Sequence, residues 1–242
     1  MRALLFAVLA LPAWAGDQIT IVCDNTAARP GVVAAWGFSA LVEVRGQRVL
    51  FDTGSKPELF LANLRELGID KSTIAATVIS HEHPENPNPV YRILPAGVIY
   101  FLDSVFAKHS PESVAAKGPV QVAKGVWTTG QIDGTPPEQG LLVETSKGLV
   151  MLVSCAHPGI GKMVQSAEKQ RGTDHIRLLI CGLHSYDWKP EQIRPVIADL
   201  RKLRVESIIP AHCTGDLATR MLRESYGGKW GPAGAGRQIP LE

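Results

Sequence analysis

Ser80-His81-Glu82-His83-Pro84-Glu85-Asn86 closes an apolar run over residues 75–79. Two histidines one residue apart at the end of a strand lie on the same side of the chain, because extended backbone repeats its side-chain direction every second residue. Their imidazoles can therefore converge on one metal ion. Glu85 follows in step with the same alternation and adds a carboxylate. Imidazole nitrogen with carboxylate oxygen is a ligand mixture that Zn²⁺ accepts in catalytic sites. An H-x-H pair alone is a weak signal; it gains weight from what lies downstream.

Three further histidines each close an apolar run: His157 after Leu152-Val153-Ser154-Cys155-Ala156, His184 after Leu179-Ile180-Cys181-Gly182-Leu183, and His212 after Ile208-Ile209-Pro210-Ala211. Each run reads as a buried strand that leads through a loop into a helical stretch. Open α/β folds gather ligand-binding residues beyond the carboxyl ends of their strands. Of the seven histidines, only His109 and His175 fall outside this arrangement, so five at strand ends point to one shared site.

Strands are also expected at residues 18–23, 38–45, 48–51, 98–102, 120–126, 140–144 and 238–241, with a hairpin turn at Gly46-Gln47. Leu59, Leu61, Leu64 and Leu67 repeat at helical spacing over residues 58–67, and Gly68 stops that helix. Residues 159–170, 191–203 and 216–224 read as further helices, and the proline-bearing segment 84–95 and residues 109–118 as surface loops. Trp230, in a tail with five glycines over residues 227–236, either lines a pocket or covers a core edge.

The first fifteen residues read as a secretory signal: Arg2, an apolar stretch from Ala3 to Leu11, then Ala13-Trp14-Ala15 before Gly16. That stretch is too short to span a bilayer, which takes roughly 20 residues. The expectation is an exported, periplasmic protein with one domain over residues 16–242 and no membrane span in its mature form. With 45% hydrophobic and 20% charged residues and a formal net charge of +2, the chain is ordinary for a globular enzyme and carries no basic footprint for nucleic acid. A small-molecule partner is expected instead. Four cysteines in an exported chain allow three full pairings; a Cys155–Cys181 bridge is one candidate, and Cys213 is an alternative thiolate donor to a metal.

Leu50-Phe51-Asp52-Thr53-Gly54, the H-x-H-x-[DE]-x segment, the C-x-H-P-G-I segment at Cys155 to Ile160 and the final P-x-H-C-T-G resemble the metallo-β-lactamase superfamily. The last two motifs resemble its dihydropterin-ribofuranosylaminobenzene-phosphate synthase-like branch of metal-dependent hydrolases. The resemblance covers nearly all of the chain after the leader. It implies an α/β fold, a four-layer αβ/βα sandwich, and one metal site built by His81, His83 and His157. It also implies a second site from Glu85, the position of Asn86, and His212. His184 stands where many relatives place a bridging aspartate. Cys213 has counterparts in relatives that do not use it as a ligand.

Two positions depart from the family pattern. Glu85 replaces aspartate and adds a methylene, and Asn86 replaces histidine with a neutral amide, a poor zinc ligand. Pro84, Pro87 and Pro89 replace the usual glycine-rich turn. One Zn²⁺ is therefore expected, with a second ion weak or absent. Glu85 is the candidate to ligate, or to orient a water and take its proton. Asp52 either orients a histidine ligand from behind or is a turn aspartate capping a helix. Thr214 and Gly215 either offer backbone N–H groups to a substrate anion or serve the helix alone, with Thr214 as its N-cap.

Three functions follow as expectations. The first is a metal-dependent hydrolase acting on an ester, lactone, thioester or phosphoester. The second is the pterin-type transferase chemistry of the named branch, against which export argues. The third is a non-catalytic metal- or ligand-binding protein, suggested by Asn86 and the rebuilt loop.

Overall fold

The structure is a computed structural model that describes residues 16–82, 97–106 and 113–242. The leader, His83, Glu85, Asn86, His109 and the loop at 84–95 lie outside the described residues. Among the described residues no helix is long and apolar enough to cross a membrane.

Two sheets carry the fold. In the first, β1 (Gln18–Cys23), β2 (Ser39–Val44) and β3 (Gln47–Phe51) run antiparallel, while β4 (Ala76–Val78), β5 (Val98–Phe101) and β6 (Val114–Ala115) continue parallel to β3. Helix α1 (Pro57–Glu66) links β3 to β4, and the short α2 (Asp103–Phe106) follows β5. The second sheet contains β7 (Val120–Ala123), β8 (Val126–Thr128), β9 (Leu141–Thr145) and β10 (Gly148–Val153) as an antiparallel run. It ends with β11 (Ile176–Cys181) and β12 (Val205–Pro210), parallel to β10 and reached through the helices α3 (Ile160–Arg171) and α4 (Pro190–Lys202). Helix α5 (Asp216–Tyr226) follows β12, and β13 (Gln238–Pro240) returns to pair with β1.

The layers follow from strands that are apolar on both faces. In β3, Val49 and Phe51 face the space between the sheets, while Leu50 faces Phe60 and Leu64 of α1. In β10, Val150 and Leu152 face inward, and Met151 and Val153 meet Met163 and Val164 of α3. Strands buried on both faces lose the apolar–polar alternation, which is why they appear in sequence as continuous runs. Helix, sheet, sheet and helix stack in that order, the αβ/βα sandwich expected from the resemblance.

Local details differ from expectation for identifiable reasons. Arg45 and Gly46, both left-handed, form the first hairpin turn, one residue before the expected pair. That is the twist a two-residue hairpin prefers. Residues 120–126 do not form one strand, because Lys124-Gly125 turns the chain and β7 pairs back onto β8. In α1 the buried positions are Phe60, Asn63 and Leu64. Asn63 is buried because its side chain donates to the Val22 and Val33 carbonyls and accepts from the Val33 N–H. Trp230 packs on the outer core of the second sheet beside Ile208, so it covers a core edge.

Candidate functional site

All the described site histidines lie just past strand ends: His81 after β4, His157 after β10, His184 after β11 and His212 after β12. Four of the six non-glycine residues with left-handed backbone among the described residues sit at strand ends: Asp52 after β3, and Ala156, His184 and His212 after β10, β11 and β12, with φ of 55°, 60°, 49° and 47°. Such backbone costs an L-residue about 1–2 kcal/mol, so the surrounding packing holds it in place. It turns each chain sharply out of its strand and aims the side chains together.

His81, Cys155 and His157 form one group whose donor atoms all lie within 4.8 Å of one another. Cys155, His212 and Cys213 form a second, so the Cys155 sulfur belongs to both. The His81 and His157 ring centroids are 4.9 Å apart, and those of His157 and His184 are 4.6 Å apart. His184 joins neither donor group. The expected cluster is thus assembled in part: His81, His157 and His212 offer metal-binding atoms, and His184 stands beside them as a ring neighbour.

His81 is aimed by a buried chain of hydrogen bonds. Ser80 donates its N–H to Asp52 Oδ1 at 2.8 Å and its hydroxyl to Asp52 Oδ2 at 2.6 Å, while its Oγ lies 2.7 Å from His81 Nδ1. With the serine proton committed to the carboxylate, Nδ1 carries the imidazole proton and donates it to Oγ. The lone pair then sits on Nε2. Asp52 therefore stands behind a histidine, in the arrangement that orients metal ligands. It caps no helix: the N-cap of α1 is Lys56, and no side chain caps it. Burial raises the Asp52 carboxyl to about 6, opposed by the Ser80 and Ser154 hydrogen bonds.

His157 is held by a residue that sequence reasoning did not single out. Glu138 is fully buried and accepts the backbone N–H groups of Cys155, Ala156 and His157 at 2.9, 3.1 and 2.9 Å. Burial lifts its carboxyl to about 7 against the pull of those three donors, with Asp52 adding to the rise. Its neighbour Gln139 donates Nε2–H to the Ile79 carbonyl at 2.7 Å and its backbone N–H to the Ser80 carbonyl at 2.8 Å. Glu138-Gln139 thus bolts the His157 loop of one sheet to the His81 strand end of the other. In sequence it is a carboxylate in a proline-bearing loop, far from every histidine, and offers no signal.

His212 is fixed by the loop after β1. Asp24 accepts its backbone N–H at 2.7 Å, and Asn25 Oδ1 lies 3.0 Å from its Nδ1. Asn25 also donates its Nδ2–H to the His212 carbonyl at 3.1 Å.

Three expectations are corrected. The cysteines are all free and buried. Cys181 pairs with Val153 in the sheet register, so Cys155, two residues further on, lies past it and meets Cys213 through a side-chain hydrogen bond instead. That bond, with burial, raises the Cys155 thiol. Thr214 is not the N-cap of α5; Gly215 holds that position without a side-chain cap. Nor is the Thr214 backbone N–H open to an anion: it donates to the Ala211 carbonyl at 3.1 Å, and the side chain, 1% exposed, directs its hydroxyl at the Ala211 and Cys181 carbonyls, at 2.8 and 3.2 Å. Gly215, with φ of 76°, is required by a close approach, since a Cβ there would lie 2.5 Å from Tyr186 Cα.

A solved structure described as a metal-dependent hydrolase of the β-lactamase superfamily matches with a TM-score of 0.78 at 23% identity, covering 93% of this chain and 99% of that one. The chain has the metallo-β-lactamase fold. A diphosphatase of the PhnP family matches with a TM-score of 0.52 at 17% identity, over 93% of this chain and 98% of that one. In sequence, the chain is 27% identical over 248 residues to the 7,8-dihydropterin-6-methyl-4-(β-D-ribofuranosyl)-aminobenzene-5′-phosphate synthase of Methanocaldococcus jannaschii, spanning 78% of this chain and 84% of that protein. No family model matches the chain.

Two predictions follow from the supports. Ser80→Ala removes the link between Asp52 and His81 and is expected to weaken zinc binding by about 10- to 100-fold with the fold intact, as read by chelator competition and circular dichroism. The second concerns Glu138. Its folded-state carboxyl, at about 7, lies above the ordinary 4.5, so between those pH values the unfolded chain releases a proton that the folded chain keeps. Stability of the zinc-free protein should therefore fall as pH rises through that window. Asp52 contributes in the same direction only up to about 6. Glu138→Gln should abolish the fall between pH 6 and 7 in melting temperature; an unchanged slope would refute the assignment.

Proposed function

We propose that this protein is a metal-dependent hydrolase acting on an ester, lactone, thioester or phosphoester. The observation that carries the reading is the convergence of the His81, Cys155 and His157 donor atoms at the mouth of the two sheets. The donor set fits a borderline-soft ion of the Zn²⁺ class: two imidazoles and a thiol whose donor atoms all lie within 4.8 Å of one another. His81 and His157 would hold the ion together with His83, and His212 with the Cys155 and Cys213 sulfurs supplies donors for a weaker second one. Such an ion supplies Lewis-acid polarisation of the reacting group and a nucleophile from water at neutral pH.

The chain's own residues do the rest. Ser80 and Asp52 fix the His81 tautomer and ring orientation. Glu138 holds the His157 loop to its turn through three N–H bonds. Glu85 is the group proposed to orient the attacking water and take its proton. Likeness to a structure described as a metal-dependent hydrolase, and to a diphosphatase, supports hydrolysis through the shared fold. Likeness to the pterin synthase favours a second reading, group transfer at the same site.

The experiment is elemental mass spectrometry of the folded protein, followed by assay with p-nitrophenyl acetate and bis(p-nitrophenyl) phosphate. At least one tightly held zinc per chain is expected, with hydrolysis that a chelator removes and zinc restores. His157→Ala should lower the rate by at least about 100-fold. Folded protein that takes up no zinc would sink the proposal. Zinc without hydrolysis, but with transfer between a pterin diphosphate and a ribofuranosyl aminobenzene, would favour the second reading.

We also propose export, on the strength of Arg2, the apolar stretch Ala3 to Leu11 and Ala13-Trp14-Ala15. Expression in a Gram-negative host should yield periplasmic protein whose mass corresponds to a chain starting at Gly16. Cytoplasmic protein retaining Met1 or Arg2 would refute it.

A further inference from the structure

Four large apolar side chains are exposed among the described residues: Val33, Trp36, Val98 and Tyr186. The two aromatic ones meet each other beside the candidate site. Trp36 and Tyr186 are 54% and 55% exposed, and their rings pack edge to face, with centroids 5.8 Å apart and planes at 87°. Trp36 also touches His212, with centroids 4.9 Å apart, and Tyr186 touches His184 at 5.7 Å. A continuous series of rings therefore runs from solvent through Tyr186 and His184 to His157 and His81.

The backbones beneath these two rings are tightly placed. Gly37, next to Trp36, has φ of 132°, and a Cβ there would lie 2.8 Å from the Ser55 nitrogen. The Trp36 carbonyl accepts the Ser55 hydroxyl, and the Gly37 N–H lies 3.3 Å from His212 Nδ1. Under Tyr186, Gly215 permits the 2.5 Å approach described above, and the Ser185 N–H donates to the Cys213 carbonyl at 3.0 Å. Exposed aromatic rings are costly to hydrate, and here their main chain is held in register with the histidine loops. Rings held so at the rim of a donor cluster are pre-organised to receive a ligand.

We propose that Trp36 and Tyr186 form a corner-shaped subsite that binds a planar aromatic or heteroaromatic ring carried by the substrate next to the bond that reacts. Two perpendicular rings present one π-face and one edge, so a flat ring inserted in the corner stacks on the first and meets the second edge-on. An alkyl group of similar length gains only area burial there. The subsite sets substrate choice and rests on the proposed hydrolytic site for its position.

The test uses zinc-loaded full-length protein and two non-hydrolysable probes, phenylphosphonate and methylphosphonate, with binding followed by calorimetry. Phenylphosphonate should bind about tenfold more tightly to the unaltered protein. Trp36→Ala and Tyr186→Ala should each remove most of that preference while leaving methylphosphonate binding within about twofold, and Trp36→Phe should retain it. Both alanine variants should melt within about 2 °C of the parent, since each changes an exposed side chain. The same affinity for both probes in the unaltered protein, no binding of phenylphosphonate, or an equal loss for both probes in the variants would overturn the proposal. Aryl preference in a protein that hydrolyses nothing would uphold the subsite and defeat the hydrolase reading; hydrolysis without aryl preference would do the reverse.

Discussion

The buried pair Glu138-Gln139 is the constraint on which the site depends. The donor groups come from the ends of strands in two different sheets, and apolar packing between sheets does not by itself fix their relative height. Glu138 accepts three consecutive N–H groups from the loop after β10, and Gln139 reaches across to the Ile79 and Ser80 backbone at the end of β4. These bonds are directional, and a buried N–H left without its acceptor costs about 1–3 kcal/mol. The two loops bearing His157 and His81 are thereby held in one relation. The carboxyl bears the cost of that burial in its raised affinity for a proton.

Around this tie the molecule concentrates its strain. Left-handed backbone at Asp52, Ala156, His184 and His212 places four sharp exits at the same edge of the sandwich. Gly182 completes the close packing, because a Cβ there would lie 2.0 Å from the Ser154 carbonyl oxygen. Strain of this kind persists only where neighbouring structure over-determines it. Here the neighbours are Asp24 and Asn25 at His212, Asp52 and Ser80 at His81, and Glu138 at His157. The candidate ligands are thus positioned by polar groups inside an otherwise apolar fold, which is how a metal site is kept in shape before an ion arrives.

The same logic separates the inner from the outer parts of the site. Inside, donors and their supports are half-buried or fully buried, and the supporting carboxylates bond to neighbouring loops. Outside, Trp36 and Tyr186 keep their backbones tied and their rings in water. A reaction centre of general chemistry and a rim of particular shape can then change independently, consistent with one fold serving many substrates.

The sequence by itself determined the layers and the histidines. Runs such as Leu149-Val150-Met151-Leu152-Val153 are apolar on both faces because both faces are buried, and a histidine closing such a run must emerge at the strand's end. Asp52 was also legible, since it follows Leu50-Phe51 at a strand end, although its alternative as a helix cap fell only to the observed Ser80–His81 chain. Local signals misplaced what depends on partners distant in sequence. Thr214 has the composition of an N-cap, yet its hydroxyl is drawn to the Cys181 and Ala211 carbonyls. Cys181 ends β11 and Cys155 lies two residues beyond the end of the neighbouring β10, so the register separates them. Glu138, Gln139, Asp24, Asn25 and the Trp36–Tyr186 corner were decided only by the tertiary structure. Their roles are hydrogen bonds and ring contacts across dozens of residues, and periodicity along one chain carries no information about which loops of two sheets will meet.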